Sequence, residues 1–195
     1  MSVPVPPAAA VTAAAARPAS HRLRPRRDVP AWVAPLAIAV LWTAMLLIAP
    51  HIRVGETLHQ VALFGHLAAL VLGFGAVLTL DWFGLMWMLG RQDLLTLVRV
   101  AQAAHTPIWL GLAGLALSGM LLSPDTAAAP TMVKLIAVLA VAMNGIAAAR
   151  VQHRLLALDG RVPPGPLLLT AILVATVSQA GWWLATLVGF LNSQQ

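Results

Sequence analysis

The sequence predicts an all-α polytopic transmembrane bundle of five up-and-down spans, and three observations predict it. Of 195 residues, 60% are hydrophobic and only 9% charged. Soluble domains carry about 25% charged residues, so this chain could not cover a water-facing surface. Several apolar runs reach the roughly 20 residues that cross a bilayer core as helix. The runs are continuous rather than alternating every second residue. In a solvent that pairs no backbone groups, that selects helices over a closed barrel.

The elements follow in order. Residues 1–28, "MSVPVPPAAAVTAAAARPAS" and then "HRLRPRRD", combine Pro and Ala without an apolar period and read as a disordered tail. Residues 29–195 hold the five-helix domain. The first span, 31–50, outruns the ~7–15-residue apolar stretch of a signal peptide, and no A-x-A cleavage site follows it, so it reads as a retained helix. The remaining spans are placed at 60–89, 95–122, 131–150 and 166–191. Pro30, Pro50, Pro130 and Pro166 fall at span ends, where a missing N–H is tolerated or stops the helix. The connections "HIRVGETLH", "GRQD", "SPDTAAA" and "HRLLALDGRVPPG" are short, which favours antiparallel neighbours. No pair of spans repeats, so an inverted-repeat transporter core is not indicated.

Charge sets the expected orientation. With the tail inside, one side carries Arg17, Arg22, Arg24, Arg26, Arg27, Arg91, Arg99, Arg150, Arg154 and Arg161; the other carries Arg53 and Lys134. Lys and Arg concentrate on the cytoplasmic side of short loops. A bacterial inner-membrane protein with a cytoplasmic N-terminus and an external C-terminus is expected.

Composition also removes function classes. There is no cysteine, which excludes disulfides, thiolate metal sites and thiol catalysis. The net charge of +6 gathers before the first span instead of interleaving with aromatics, so the partner it fits is the lipid bilayer and not nucleic acid. No His-Glu-x-x-His, G-x-S-x-G or Walker-type loop occurs.

What remains are polar groups inside the spans. Each costs on the order of 2.5–3.5 kcal/mol at the bilayer centre and needs a partner. Counted at ~1.5 Å per residue from the "RQD" turn, Asp81 lies at a depth between Arg99 and His105, either of which is expected to hold it. Asn144 comes level with His105, and Thr176 and Gln179 lie nearby. A second, outer level gathers His66 with Thr43, Ser118, Lys134 and Thr186. His66, Gly73, Val77, Asp81 and Gly84 fall on one stripe of the second span, and its glycines let a neighbouring backbone approach. Gly111, Gly114 and Ser118 form a small-residue stripe on the third span, roughly opposite His105. Asp81, His105 and His66 read first as hydrogen-bonded structural groups, with a proton-relay or binding role as the alternative. The tryptophans, Trp182 and Trp183 among them, read as interfacial anchors and packing. Lys134 can extend outward along its own stem.

Cofactor chemistry is tested by the same count. His66 and His105 are separated by about 18 Å along the axis and cannot share one iron. A haem b would therefore rest on His66 alone. His51 and His59 come level at the outer surface, where a copper or zinc site with Met120 or Met132 is the candidate.

The segments "GHLAALVLGFGAVLTLDWFGLMW", "HTPIWLGLAGLALSGMLL" and "QAGWWLATLVGFLN" resemble small bacterial polytopic membrane proteins. They also loosely resemble the CopD-type copper-resistance and cytochrome b561-like helical proteins. The resemblance covers residues 58–192, and His66 matches those families' first helix histidine. It implies metal handling or haem-based redox chemistry. Three functions are carried forward: an accessory or assembly subunit without catalysis, a haem- or copper-binding protein, and a proton-coupled carrier using Asp81 and His105.

Overall fold

The computed structural model describes residues 30–126 and 128–192. The tail at 1–28, with its five arginines, lies outside these. The described residues are 84% helical, without strands, and form five helices long and apolar enough to cross a membrane. Helix α1 (Val33–Ile48) ends in a 3-10 turn (Ala49–His51) that carries Pro50 in its first turn. Then come α2 (Glu56–Met88), α3 (Leu94–Leu121), α4 (Ala129–Leu156) and α5 (Gly165–Asn192).

Two helices run further than hydropathy predicts. Helix α2 starts at Glu56, before the apolar run, because Gln60 Nε2 donates to Glu56 Oε1 at 3.1 Å across one turn, a polar i, i+4 pair that supports helix. Helix α4 continues from 150 to Leu156 because no Gly or Pro interrupts "RVQHRL". His153 and Arg154 also sit in its last turn, where cations face the negative end of the helix dipole. It stops where Asp159 and Gly160 take φ of 45° and 81°, ahead of Pro163 and Pro164.

The α2–α3 turn is the most tightly specified. Gly90 at φ 67° sends its N–H to Trp87 O (2.9 Å) while Arg91 N–H reaches Met86 O (2.8 Å), the paired bonds of a Schellman stop. Three residues on, Asp93 caps α3 by accepting from Thr96 N–H at 2.6 Å and Thr96 Oγ1 at 3.0 Å. The Thr96 amide holds the exposed Asp93 carboxyl below the usual carboxylate range. Pro107 lies inside α3; lacking an N–H, it leaves the Ala103 carbonyl without its usual helical donor.

Packing makes two close hairpins, α2/α3 and α4/α5, with α1 laid on α3 and α4. The two glycine stripes expected on α2 and α3 face each other. A Cβ on Gly111 would lie 2.5 Å from Gly73 Cα and 2.8 Å from the Ala69 carbonyl oxygen, and one on Gly114 would lie 2.7 Å from Ala69 Cβ. The backbones touch there, as small residues allow. Gly181 does the same job in α4/α5, against Val141 and Ala137.

The hairpins meet through one residue from each of four helices: Val77, Leu112, Val141 and Trp182. Trp182, only 3% exposed, stacks on Phe74 with ring centroids 5.8 Å apart. Its ring edge fills the space above Gly73, where a Cβ would come within 2.8 Å of Cη2. It is thus a wedge between hairpins more than an interfacial anchor. Large apolar side chains such as Phe64 and Val71, both 74% exposed, point outward, the arrangement a lipid solvent selects. Helix α1 buries no residue; Arg150 Nη2 ties the chain just before it to α4 by donating to Ala31 O at 2.8 Å.

Candidate functional site: a cavity between the hairpins

The Trp182 wedge holds the hairpins apart, and on one side of it the gap stays open as a cavity of about 690 Å³. Its floor is Leu112, Val141 and Trp182, and its mouth is lined by His59, Pro124, Thr126 and Asn192. All four belong to one end of the bundle, near the start of α2, the α3–α4 turn and the end of α5. The walls are mainly apolar, with leucine the commonest residue, and the volume falls in the ~300–1,000 Å³ range of small-molecule sites.

Several polar groups interrupt this apolar lining. His66, Lys134, Thr131 and Thr186 line the cavity with Trp182. His66 Nδ1 lies 2.9 Å from Ser118 Oγ, and Ser118 Oγ donates its one proton to Gly114 O at 2.5 Å. A hydroxyl has a single proton to give, so Ser118 accepts from His66 Nδ1–H. That direction is opposite to a serine activated by a histidine base. It instead fixes the ring and leaves Nε2 as the unprotonated nitrogen of the neutral imidazole. The Trp182 Nε1–H and the Thr186 hydroxyl are buried and lack a partner among the described residues. Among the described residues, no carboxylate lines the cavity.

The outer polar level expected from helix rise is therefore assembled: His66, Ser118, Lys134 and Thr186 come together. Thr43 does not join them. It is exposed on α1, and its hydroxyl bonds the Ala39 carbonyl at 2.9 Å, while Trp42, Met45 and Leu46 take the places facing the cavity.

The inner level is arranged differently from expectation. Asp81 accepts from Gln179 Nε2 at 2.6 Å and is bonded to neither Arg99 nor His105. The reason is face, not depth. Asp81 follows Phe74 by seven residues on one row of α2, and Phe74 packs on Trp182 and Trp183, so the row faces α5. His105 sits about 180° from Gly114 around α3, and Gly114 faces α2. His105 is consequently exposed on the far side, its ring 6.1 Å from that of Trp109, and Arg99 is exposed too. Asn144 does not reach His105: its Nδ2 donates to Val174 O at 2.8 Å and ties α4 to α5. Asp81 and His105 thus share no partner.

Of the outer-surface histidines, His51 Nδ1–H donates to Leu47 O at 3.0 Å, and His59 lines the cavity mouth with Met120 nearby in the wall. Among the described residues, no three His, Cys, Asp or Glu gather into a metal centre. The sequence reading missed Trp182 and Thr131 as cavity residues. The available signal was spacing: Trp182 shares a face with Thr186 one turn on, and Thr131 with Lys134.

No family profile, curated protein or solved structure matches the chain.

Proposed function

We propose that the protein is an intramembrane binding protein that takes an amphiphilic small molecule into the cavity between its two hairpins. The observation that carries this reading is a 690 Å³ apolar chamber lined by an intramembrane lysine and a histidine, with two further unpartnered donors, the Trp182 Nε1–H and the Thr186 hydroxyl, buried in its wall. Interiors are ordinarily packed as densely as organic crystals, and buried polar groups are ordinarily paired. Both rules are broken at one place, which supports a ligand as the missing component. In the cell such a protein serves as a carrier or accessory component of a bacterial inner membrane. The ten-to-two division of Lys and Arg supports a cytoplasmic N-terminus, which opens the cavity mouth to the external side. A C-terminal alkaline phosphatase fusion is then active and a C-terminal green fluorescent protein fusion dark; the reverse pattern overturns the orientation.

The binding reading is tested by native mass spectrometry of protein extracted in mild detergent. A small amphiphile is expected at about one per chain and is lost in Gly119→Trp, which places a ring in the chamber. Wild-type protein that neither retains nor saturably binds any amphiphile sinks the reading.

The unprotonated His66 Nε2, with Nδ1–H held by Ser118, supports a second reading: haem b bound by a single axial histidine. An outer partner on the other ring nitrogen is the usual setting of a ligating histidine, and the CopD-type and cytochrome b561-like resemblance belongs with it. Purified protein with haem added and no Soret shift rejects it.

A further inference from the structure

We infer that the head group of the cavity's ligand is a single carboxylate seated on Lys134, so that the ligand is a single-chain carboxylate amphiphile of the long-chain fatty acid type. The inference rests on the binding reading above and specifies its ligand.

Lys134 enters the bundle about 7.5 Å below the start of α4 by helix rise, lines the cavity, and has neither an ion pair nor a hydrogen bond among the described residues. An ammonium is a donor with no acceptor capacity, and so is an indole N–H. Lys134 therefore lacks an acceptor, while the unpaired Trp182 Nε1–H and Thr186 hydroxyl lie buried in the wall beside the chamber. Trp182 and Thr186 stand one turn apart on α5 and close the cavity wall opposite α2. Among the described residues no Asp or Glu lines the chamber, so it holds positive charge without a counter-charge from them. Its complement is an anion.

The charge of that anion follows from the count of cations. A phosphate monoester carries about −1.5 to −2 at pH 7, more than one ammonium balances. A carboxylate matches Lys134 one to one; a lipid phosphodiester carries one charge too, but ordinarily brings two acyl chains. A tail follows from the walls. A second hollow of about 450 Å³ lies under α1, bounded by Ile38, Leu41 and Trp109, and shares Trp42, Leu112 and Val138 with the first. The shared residues lie between the two hollows, so apolar lining extends from the lysine toward the lipid-facing side of α1, the helix that buries no residue of its own. Such a lining suits one acyl chain.

Binding of radiolabelled oleate to the full-length protein in zwitterionic nanodiscs tests this, with oleyl alcohol as the neutral probe of equal chain length. Saturable oleate binding is expected, with oleyl alcohol at least about tenfold weaker, the scale of one charge-assisted hydrogen bond. Lys134→Gln should lower oleate affinity by a similar factor without changing that of the alcohol, and Lys134→Arg should retain oleate. Equal affinities of wild-type protein for the two probes overturn the carboxylate inference even if Lys134→Gln fails to fold, and leave the binding reading standing when Gly119→Trp abolishes both. Binding of neither probe, with no other amphiphile retained, removes both readings.

Discussion

The seam between α2 and α3 and the gap between the two hairpins are made by the same helices with opposite results. In the seam, Ala69 and Gly73 meet Gly111 and Gly114, and the backbones touch. In the gap, Trp182 reaches across from α5 to Phe74 and Gly73 and keeps the hairpins a side chain apart. Lipid tails are as apolar as leucine, so helix association in a membrane depends on packing contact and not on expulsion of water. Small residues therefore close an interface, one large residue props the next one open, and the space beside the prop becomes a site. The polar groups follow the same division: none interrupts the α2/α3 glycine contact, while His66, Lys134, Trp182 and Thr186 gather at the chamber.

Breaking the tight side should have the largest effect. Gly111→Leu places a branched side chain where a Cβ already meets backbone atoms at 2.5 Å, and backbone cannot rotate away. The expected outcome is loss of the monodisperse peak in size-exclusion chromatography of detergent-extracted protein. Removing the prop comes next. Trp182→Ala deletes the stack on Phe74 and enlarges the chamber; core Trp→Ala changes cost ~3–5 kcal/mol. A large fall in melting temperature with retained helicity by circular dichroism is expected, and a full loss of fold would make the wedge part of the seam's own stability.

The inner polar pair has a smaller expected effect. Gln179→Leu leaves Asp81 without its donor, at roughly 0.6–2 kcal/mol for a hydrogen bond between membrane helices. The double variant with Asp81→Leu should recover most of that loss in a thermal melt. If Asp81→Leu alone destabilises as much as Gln179→Leu and the double variant sums the two losses, Asp81 has a partner other than Gln179.

The exposed cap of α3 is the mildest test. The Asp93 carboxyl is held below its ordinary range by Thr96, so its contribution is complete above the unfolded-state value and is lost as pH falls through the lower folded one. Asp93→Ala should lower the melting temperature slightly at neutral pH and bring no change at a pH below both values. Gly119→Ala serves as the mild reference: its Cβ would stand 3.6 Å from His66 Cε1, an ordinary contact, and helix propensity favours Ala, so a destabilisation beyond about 0.5 kcal/mol would mean that the chamber wall is packed as tightly as the seam.

Much of this was readable before any coordinates. Composition and run length alone demand five membrane-crossing helices, and the prolines and glycines mark where they end. Depth was legible too, because a helix rises ~1.5 Å per residue whatever it packs against. That regularity is why His66, Ser118, Lys134 and Thr186 could be brought to one level by counting. The failures are all of direction. Thr43, Arg99 and His105 stand on the faces of their helices turned away from the groups expected to meet them, and Asp81 turns to Gln179 of α5. Which way a helix faces its neighbours depends on which small residues find each other and which large one stands between them. Those pairings join residues from 30 to 110 positions apart in the chain, such as Gly73 with Gly111 and Gly73 with Trp182. The sequence by itself determined the solvent, the number of helices and the depth of each polar group. Only the tertiary structure decided their partners and left a chamber around an unpaired lysine, because azimuth is a property of contacts, whereas rise is a property of the helix alone.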